Sequence, residues 1–310
     1  MANHSKVILK ESSSAHISRL VRSVQSLKNL EDYSIKPEGV WGSKATIKFA
    51  NAKIDASTLD VEFTIPFDDD LETNEGEIVV YNLTDNTIRQ LKGDVTIEAG
   101  FEGDTGVIFS GKTRKVHSKR EGADRATIVK AIDGVTTTTE GLISSGRLEE
   151  SYDGVPAKDV LRALLEAEGS PIAKFEVESD YAYENSVTLG DDLQAEIKKY
   201  SEVCGVSTFK RKGKIYCCKL DKVENGITFN VSEETGMIGS PSPFEETITV
   251  GDDEVTVKGF EIEMLLQHRA AVGAIVNLMS EQYKGKYYIK SGTHRFNSSE
   301  ATTTIKVVEM

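Results

Sequence analysis

Hydrophobic and polar positions change period several times along this chain, and each change marks an element. In residues 1–40, Ile17, Leu20, Val21, Val24, Leu27 and Leu30 recur at helical spacing, with Ser18, Arg19, Arg22, Ser23 and Lys28 on the other faces. This predicts an amphipathic helix or helix pair. Nothing inside that arm covers its apolar stripe, so it packs either on its own domain or on a neighbouring subunit. From Trp41 the period becomes two. Leu59, Val61, Phe63 and Ile65 alternate with Asp60, Glu62 and Thr64, the pattern of a strand with one face buried and one wet, and Pro66 is expected to end it. An acidic loop over 68–76 follows and reads as a solvated hairpin connection.

The next stretch, from Glu77 to Gly111, predicts a strand from Ile78 to Tyr81, a short helical turn opened by Thr84 or Asp85, and a strand from Val95 to Ala99. Gly100, Gly103 and Gly106 then read as turn glycines before a third strand ending at Gly111. Lys112 to Val116, a charged turn over 118–124 and Ala126 to Ile132 complete the set. Strands of this number, length and spacing indicate an antiparallel sandwich or barrel.

Between about Thr136 and Leu220 helix and strand alternate. Pro156 stands near the start of a helix carrying Val160, Leu161, Leu164 and Leu165 and closed by Gly169; Phe175 to Val177 follow as a strand. Asp191 or Asp192 caps a second helix with Leu193, Ile197, Tyr200 and Val203 inward. Val206 to Phe209 and Ile215 to Cys218 pair across a turn at Gly213. After Asn225 and Gly226 strands return, at 227–231, 247–250, 254–266, 274–279, 286–291 and 302–308, with Gly251, Gly273, Gly285 and Gly292 in the turns. The expected fold class is therefore α+β and mainly β: a helical arm (1–40), a β domain (41–143), a small α/β domain (144–222) and a second β domain (223–310).

Composition narrows the function. With 310 residues, 38% hydrophobic and 28% charged, the chain suits two or three globular domains. It shows no bilayer-spanning run and no apolar signal-peptide core near its start, so no membrane anchor is expected and folding is expected in the cytoplasm. A net charge of -13 argues against a surface that holds nucleic acid. Cys204, Cys217 and Cys218 make no disulfide framework and read as reduced, structural thiols.

Candidate chemistry is sparse. His4, His16, His117, His268 and His294 are scattered, with no HExxH and no Gly-x-Ser-x-Gly elbow. Asp68, Asp70, Glu72 and Asn74 alternate as calcium ligands do, but an EF-hand would need Gly at Thr73 and Glu at Val79. The glycines at 100, 103 and 106 precede a strand, so no helix N-terminus is available for a phosphate. Asn82, Asn230 and Asn297 match glycosylation sequons, which a cytoplasmic chain does not use. No catalytic, cofactor-binding or metal-binding residue is expected.

Three stretches together resemble the phage tail and baseplate hub family of contractile and long tails and of phage-tail-like bacteriocins. The first runs through Ile78, Val79, Val80, Tyr81, Asn82 and Leu83, then Val95 to Gly100 and Phe101, then Gly106 to Phe109 and Gly111; Phe101 stands where the family has tyrosine. The second is Thr235, Gly236, Met237, Ile238, Gly239, Ser240 and Pro241. The third is Gly259 to Leu266, Gly273 before Ala274, and Gly285 to Ile289 with Gly292 and His294; Val272 replaces the family's proline before that glycine. The resemblance implies two tube-type β domains per chain and a homotrimer of pseudo-sixfold symmetry. It also implies a place in the virion tail, assembled in the host cytoplasm, joining the hexameric tail tube to a threefold central spike or fibre. The implied partners are the tail tube protein, the tape-measure C-terminus, the spike or fibre and other baseplate proteins, with DNA passing through the lumen unbound.

Two other classes compete. A tail-tip cell-wall hydrolase would need converging carboxylates, yet Glu166 and Glu168 share one helix on different sides and Glu196 lies on another. A glycan-binding module would use Tyr181, Tyr183 and Tyr200, which also suit a core or an interface.

Overall fold

The structure is a computed structural model that describes residues 42–309 apart from 72–73, 134–138, 147, 150, 180, 184, 212, 224–226 and 251–252. The expected helical arm, Trp41, Glu72, Asn225, Gly226 and Gly251 lie outside the described residues.

The alternating pattern that opens the chain folds as β1 (Ser43–Phe49), β2 (Lys53–Asp55), β3 (Val61–Phe67) and β4 (Glu75–Tyr81). A short helix α1 (Asp85–Ile88), β5 (Asp94–Phe101), β6 (Asp104–Glu121) and β7 (Asp124–Ile132) follow. Period-two burial drives these strands: in β4, Gly76, Ile78 and Val80 face in while Glu75, Glu77, Val79 and Tyr81 face out. Each fully buried Ile or Val contributes roughly 1.5–3 kcal/mol over an exposed one.

The mixed segment folds as α2 (Thr139–Ser144), β8 (Ser151–Tyr152), α3 (Ala157–Glu168), β9 (Ile172–Phe175), β10 (Val187–Thr188), α4 (Leu193–Val203), β11 (Ser207–Arg211) and β12 (Lys214–Cys218). In α3, Pro156 stands at the N-cap, Val160, Leu161, Leu164 and Leu165 are buried, and Gly169 closes the helix at φ 92°. Asp192 caps α4, accepting hydrogen bonds from the backbone N–H groups of Gln194 at 2.9 Å and Ala195 at 3.3 Å. The two helices pack together over the β11-β12-β9 sheet, where β9 and β12 run parallel.

The last segment supplies β13 (Thr228–Val231), β14 (Met237–Val250), β15 (Asp253–Leu265), β16 (Ile275–Met279), β17 (Lys284–Phe296) and β18 (Ala301–Glu309). All strands outside the α/β unit join one 13-stranded sheet ordered β14-β15-β18-β17-β3-β4-β7-β6-β5-β1-β2, with β16 between β17 and β13.

Two parts of that path carry the same order: β3-β4-β7-β6-β5 and β14-β15-β18-β17-β16. The register repeats as well. Glu77 lies opposite Lys130 in the first unit, and Glu261 opposite Lys306 in the second. A bulge falls at Arg114 on β6 and at Lys290 on β17. Beyond the bulge, Ser118 meets Thr127 at 3.2 Å and His294 meets Thr303 at 2.9 Å. The units part company outside this motif, since β1 is antiparallel to β5 whereas β13 is parallel to β16.

A single ladder joins them. β17 pairs antiparallel with β3 from Gly292 opposite Phe67 to Phe296 opposite Phe63. Aromatic rings fill this joint: Phe63 and Phe296 stack at 5.1 Å, and Phe67 lies 5.0 Å from the His294 ring.

The fold is mainly β with a small α/β unit between the repeats, as the patterns predicted, but several boundaries differ. β5 and β6 run to Phe101 and from Asp104, so the turn is Glu102 and Gly103, while Gly100 and Gly106 sit inside strands. β6 continues through Gly111 to Glu121, because exposed charged residues extend a hairpin ribbon as well as they form a loop. Pro66 lies within β3, opposite Thr293; at the end of the β3–β4 ladder, β3 turns to β17, so the proline does not end it. Gly285 and Gly292 are strand residues of β17. The stretch Thr235 to Pro241 enters a strand: from Met237 it is β14, bulged between Ile238 and Ser242.

Candidate assembly surface

The turn after β4 shows why a Tyr-Asn-Leu sequence stands there. Asn82 takes φ 58°, a left-handed conformation that Asn tolerates better than most residues. Its Oδ1 accepts the Arg125 N–H at 3.0 Å, its own N–H donates to the Arg125 carbonyl at 2.8 Å, and its Nδ2 donates to Asp124 at 2.9 Å. The turn is thereby fastened to the start of β7. Leu83 is buried in the first core, Tyr81 donates to Glu62 at 3.4 Å, and Thr84 caps α1.

At the β5–β6 hairpin, Gly100 is held at φ 151°, and a Cβ there would stand 2.2 Å from the Asp104 carbonyl oxygen. Beside Gly106 lies the ring of His268, and Asp104 ties the hairpin to the second unit. Arg269 donates to both Asp104 oxygens at 2.8 Å, and His268 Nε2 lies 3.0 Å from Oδ1. Burial works against the Asp104 charge, yet the hydrogen bonds from Arg269 and His268 prevail and hold the carboxyl below its usual range. Nothing local in the sequence signals this cluster, since its members are 164 and 165 positions apart. Phe101 and Phe109 are buried in the first core, and Gly111 lets β6 and β7 approach: an added Cβ would meet the Ile132 carbonyl oxygen at 2.2 Å.

The acidic loop is not a solvated connection. Asp68, Asp69 and Asp70 are half-buried where the three units meet, and Leu71 is buried in the core of the α/β unit beside Leu161 and Leu193. Ser207 donates to Asp69 at 3.1 Å and Lys198 pairs with Asp70 at 3.3 Å. Asn74 bridges Asp68 and Asp133, donating through Nδ2 to the first at 3.1 Å and through its backbone N–H to the second at 3.0 Å. Burial, and then the charge of Asp70, push the Asp68 carboxyl up to about 7; burial also raises Asp69 and Asp133. Among the described residues no group of three or more His, Cys, Asp and Glu side chains is arranged to hold a metal ion.

The remaining candidates lie apart. His294 is buried at the β3–β17 joint. Thr303 Oγ1 accepts the Gln267 N–H at 3.0 Å and lies 2.9 Å from His294 Nδ1. Burial pushes the imidazole down to about 3, with the Ala270 backbone hydrogen bond opposing and the His268 charge adding to it. His117 is exposed on β6. Glu168 is buried and paired with Lys210 at 2.5 Å, whereas Glu196 pairs with Lys199 at 3.2 Å. Tyr181, Tyr183 and Tyr200 form an edge-to-face series at 5.2 and 6.1 Å, with Tyr200 fully buried. Cys204, Cys217 and Cys218 are buried free thiols, and burial pushes them up to about 11, 12 and 11. None of these groups converges on a common cleft.

Free strand edges are the more prominent feature. β6 pairs with β5 only up to Lys112; from there to Glu121 it pairs with β7 alone. This segment carries Lys112, Arg114, Lys115, Lys119 and Arg120 in a chain of net charge -13. β14 pairs with β15 alone and is exposed at Ser242, Pro243, Glu245 and Glu246. Gly236, at φ 104°, and Gly239, at φ 70°, set up the β14 bulge, beside which Pro241 is buried. Gly273, at φ 74°, turns the chain before β16, and Gly285 lies under the Tyr287 ring.

No family model matches the sequence, and no curated protein matches it. Its fold is nevertheless found among solved structures. The tail protein from Neisseria meningitidis MC58 aligns with a TM-score of 0.60 at 8% identity, over 87% of this chain and 97% of its own. The 43 kDa tail protein of prophage MuSo2 from Shewanella oneidensis aligns with a TM-score of 0.57 at 9% identity, over 86% and 97%. An E. coli type VI secretion component, described as structurally similar to the T4 bacteriophage tail proteins gp27 and gp5, aligns with a TM-score of 0.55 at 12% identity, over 81% and 74%. The chain thus has the fold seen in these tail proteins and in the type VI secretion component. Within that fold it carries one five-strand motif twice in a single sheet, with an α/β unit between the copies.

Proposed function

We propose that this chain is a structural, non-enzymatic hub of a phage or phage-like tail baseplate. Three copies form a ring that joins a hexameric tail tube to a threefold central spike or fibre. The observation that carries this reading is the repeated order β3-β4-β7-β6-β5 and β14-β15-β18-β17-β16 in one sheet. Three chains with two similar units each offer six near-equivalent surfaces on one side while remaining threefold as a whole. Tube protein, tape-measure C-terminus, spike or fibre and baseplate proteins are the partners this role requires. The units divide at about 41–143, 144–222 and 223–310, with limited proteolysis expected to cut near those boundaries.

Imaging the assembled particle or the isolated ring along its axis tests the reading. Threefold density with pseudo-sixfold modulation is expected; a twofold or asymmetric particle, or a monomer by light scattering at every concentration, overturns it. Purified peptidoglycan incubated with the protein is expected to release no fragments.

A further inference from the structure

We infer that the ring closes through a strand ladder between β14 of one chain and the second half of β6 of the next. This copies the ladder by which β3 pairs with β17 inside each chain. The inference rests on the ring reading and adds its contact surface and register.

The repeat supplies the geometry. β17 corresponds to β6 and β3 corresponds to β14, so the internal joint brings the fourth strand of one unit against the first strand of the other. In each unit the fourth strand pairs over its first half with the strand before it. In the second unit the remainder of that edge is occupied, where Gly292 to Phe296 pair with β3. In the first unit the equivalent edge of β6, beyond the Thr113 N–H that donates to the Gly93 carbonyl at 2.9 Å, has no strand partner among the described residues, and neither has the outer edge of β14. A long unpaired edge is a template for strand addition, and a head-to-tail contact of this kind closes into a ring when its rotation permits.

Matching the bulges at Lys290 and Arg114 sets Arg295 equivalent to Lys119. Matching Glu77 with Glu261 sets Thr64 equivalent to Ser242, because each lies opposite that glutamate. Since Arg295 pairs with Thr64 inside the chain, Lys119 is assigned opposite Ser242 of the neighbour. The same register puts Val116 opposite Glu245 and Lys115 opposite Glu246. Charge agrees: the β6 edge carries Lys115, Lys119 and Arg120, and the β14 edge carries Glu245 and Glu246, all exposed. Pro243 is equivalent to Ile65, whose N–H faces β17, so the ladder lacks one hydrogen bond, opposite Ser118 of the neighbour.

The test uses the full chain. One preparation carries Lys119→Cys and another Ser242→Cys; they are mixed and oxidised, and the covalent dimer is read on a non-reducing gel. A control mixture joins Ser242→Cys with Lys53→Cys on β2 at the far end of the sheet. The mass of the uncrosslinked protein is measured by light scattering. A trimer that crosslinks through 119 and 242 but not through 53 and 242 is the expected result. A trimer that fails at 119 and 242, or crosslinks equally at the control, overturns the ladder and leaves the ring reading intact. A monomer without crosslinks overturns both. Independently, Lys115→Glu is expected to weaken assembly about tenfold, and adding Glu246→Lys, its opposite number, to the same chain to restore it. Failure of that restoration also counts against the ladder.

Discussion

In the first β unit the chain leaves the sheet after Phe67 and inserts Leu71 into the core of the α/β unit, whereas in the second the β14–β15 ladder runs on from Ser242 to Val250, with β14 largely exposed from Ser242 to Thr247. The order and register of the motif are otherwise the same. What differs is the side-chain chemistry at equivalent places. At the internal joint stand Phe63, Phe67, His294 and Phe296; the positions equivalent to Phe67, His294 and Phe296 are Glu245, Ser118 and Arg120. A contact made once, within the chain, is built from buried rings. At the free edges the equivalent positions carry charges and a hydroxyl instead. One backbone plan is therefore dressed in two ways by a few side chains.

The largest expected effect comes from the paired threonines. Thr303→Val leaves the Gln267 N–H and His294 Nδ1 buried without their partner and is expected to cost about 3–4 kcal/mol, summed over two buried groups. The counterpart Thr127→Val is expected to cost about 1 kcal/mol, because Ser118 can turn to water. Equal losses in urea unfolding would break the comparison.

His294 sharpens it through pH. Its folded pKa is depressed from 6.5 to about 3, so the unfolded chain binds a proton that the folded chain refuses. Stability is fully present above pH 6.5 and declines as pH falls toward about 3. At pH 4 the loss amounts to about 3 kcal/mol, at about 1.4 kcal/mol per pH unit. Urea unfolding of His294→Gln at pH 7 and pH 4 should show a gap smaller by about that amount. No equivalent pH effect is expected from Ser118→Ala.

Next in size, Leu71→Ala is expected to cost about 2–3 kcal/mol and to loosen the α/β unit selectively, read as faster amide exchange in α3 and α4. Uniform loss across both β units would show that the inserted loop is not what couples them. The smallest effect separates the two hairpin turns. Asp104→Asn, which weakens the tie to Arg269 and His268, is expected to cost about 1–2 kcal/mol. Ser280→Ala, in the corresponding turn that closes on Tyr283, should cost about 1 kcal/mol or less.

Sequence period was a good guide where one face is buried. The alternation around Phe63, the Leu pairs of α3 and the cap at Asp192 all stand where pattern placed them. Glycine was a poor guide to turns, because Gly111 and Gly292 serve close strand contact and only Gly103 turns the β5–β6 hairpin. Charge misled in both directions: Asp68 to Asp70 look like a solvated loop and are drawn into a three-way junction, while Lys112 to Glu121 look like a turn and form a strand. The ladder between β3 and β17 and the Asp104 cluster are invisible in the sequence, since each unites residues from opposite ends of the described chain and no local pattern encodes such a meeting.

The β3–β17 ladder also sets a timetable. Phe63 finds its partner only when Phe296 has left the ribosome, which at roughly 5–20 residues per second is a delay on the order of ten seconds or more. During that interval β3 has neighbours on one side only, and a nascent sheet with an open rim invites wrong pairing with other growing chains. Pro66 lies on that rim but does not close it, since its missing N–H faces away from β17 and the ladder forms across it. The late partner closes the rim, with Gly292 beside the Phe67 ring. A joint that holds two units together in space is thus also a late event in their synthesis.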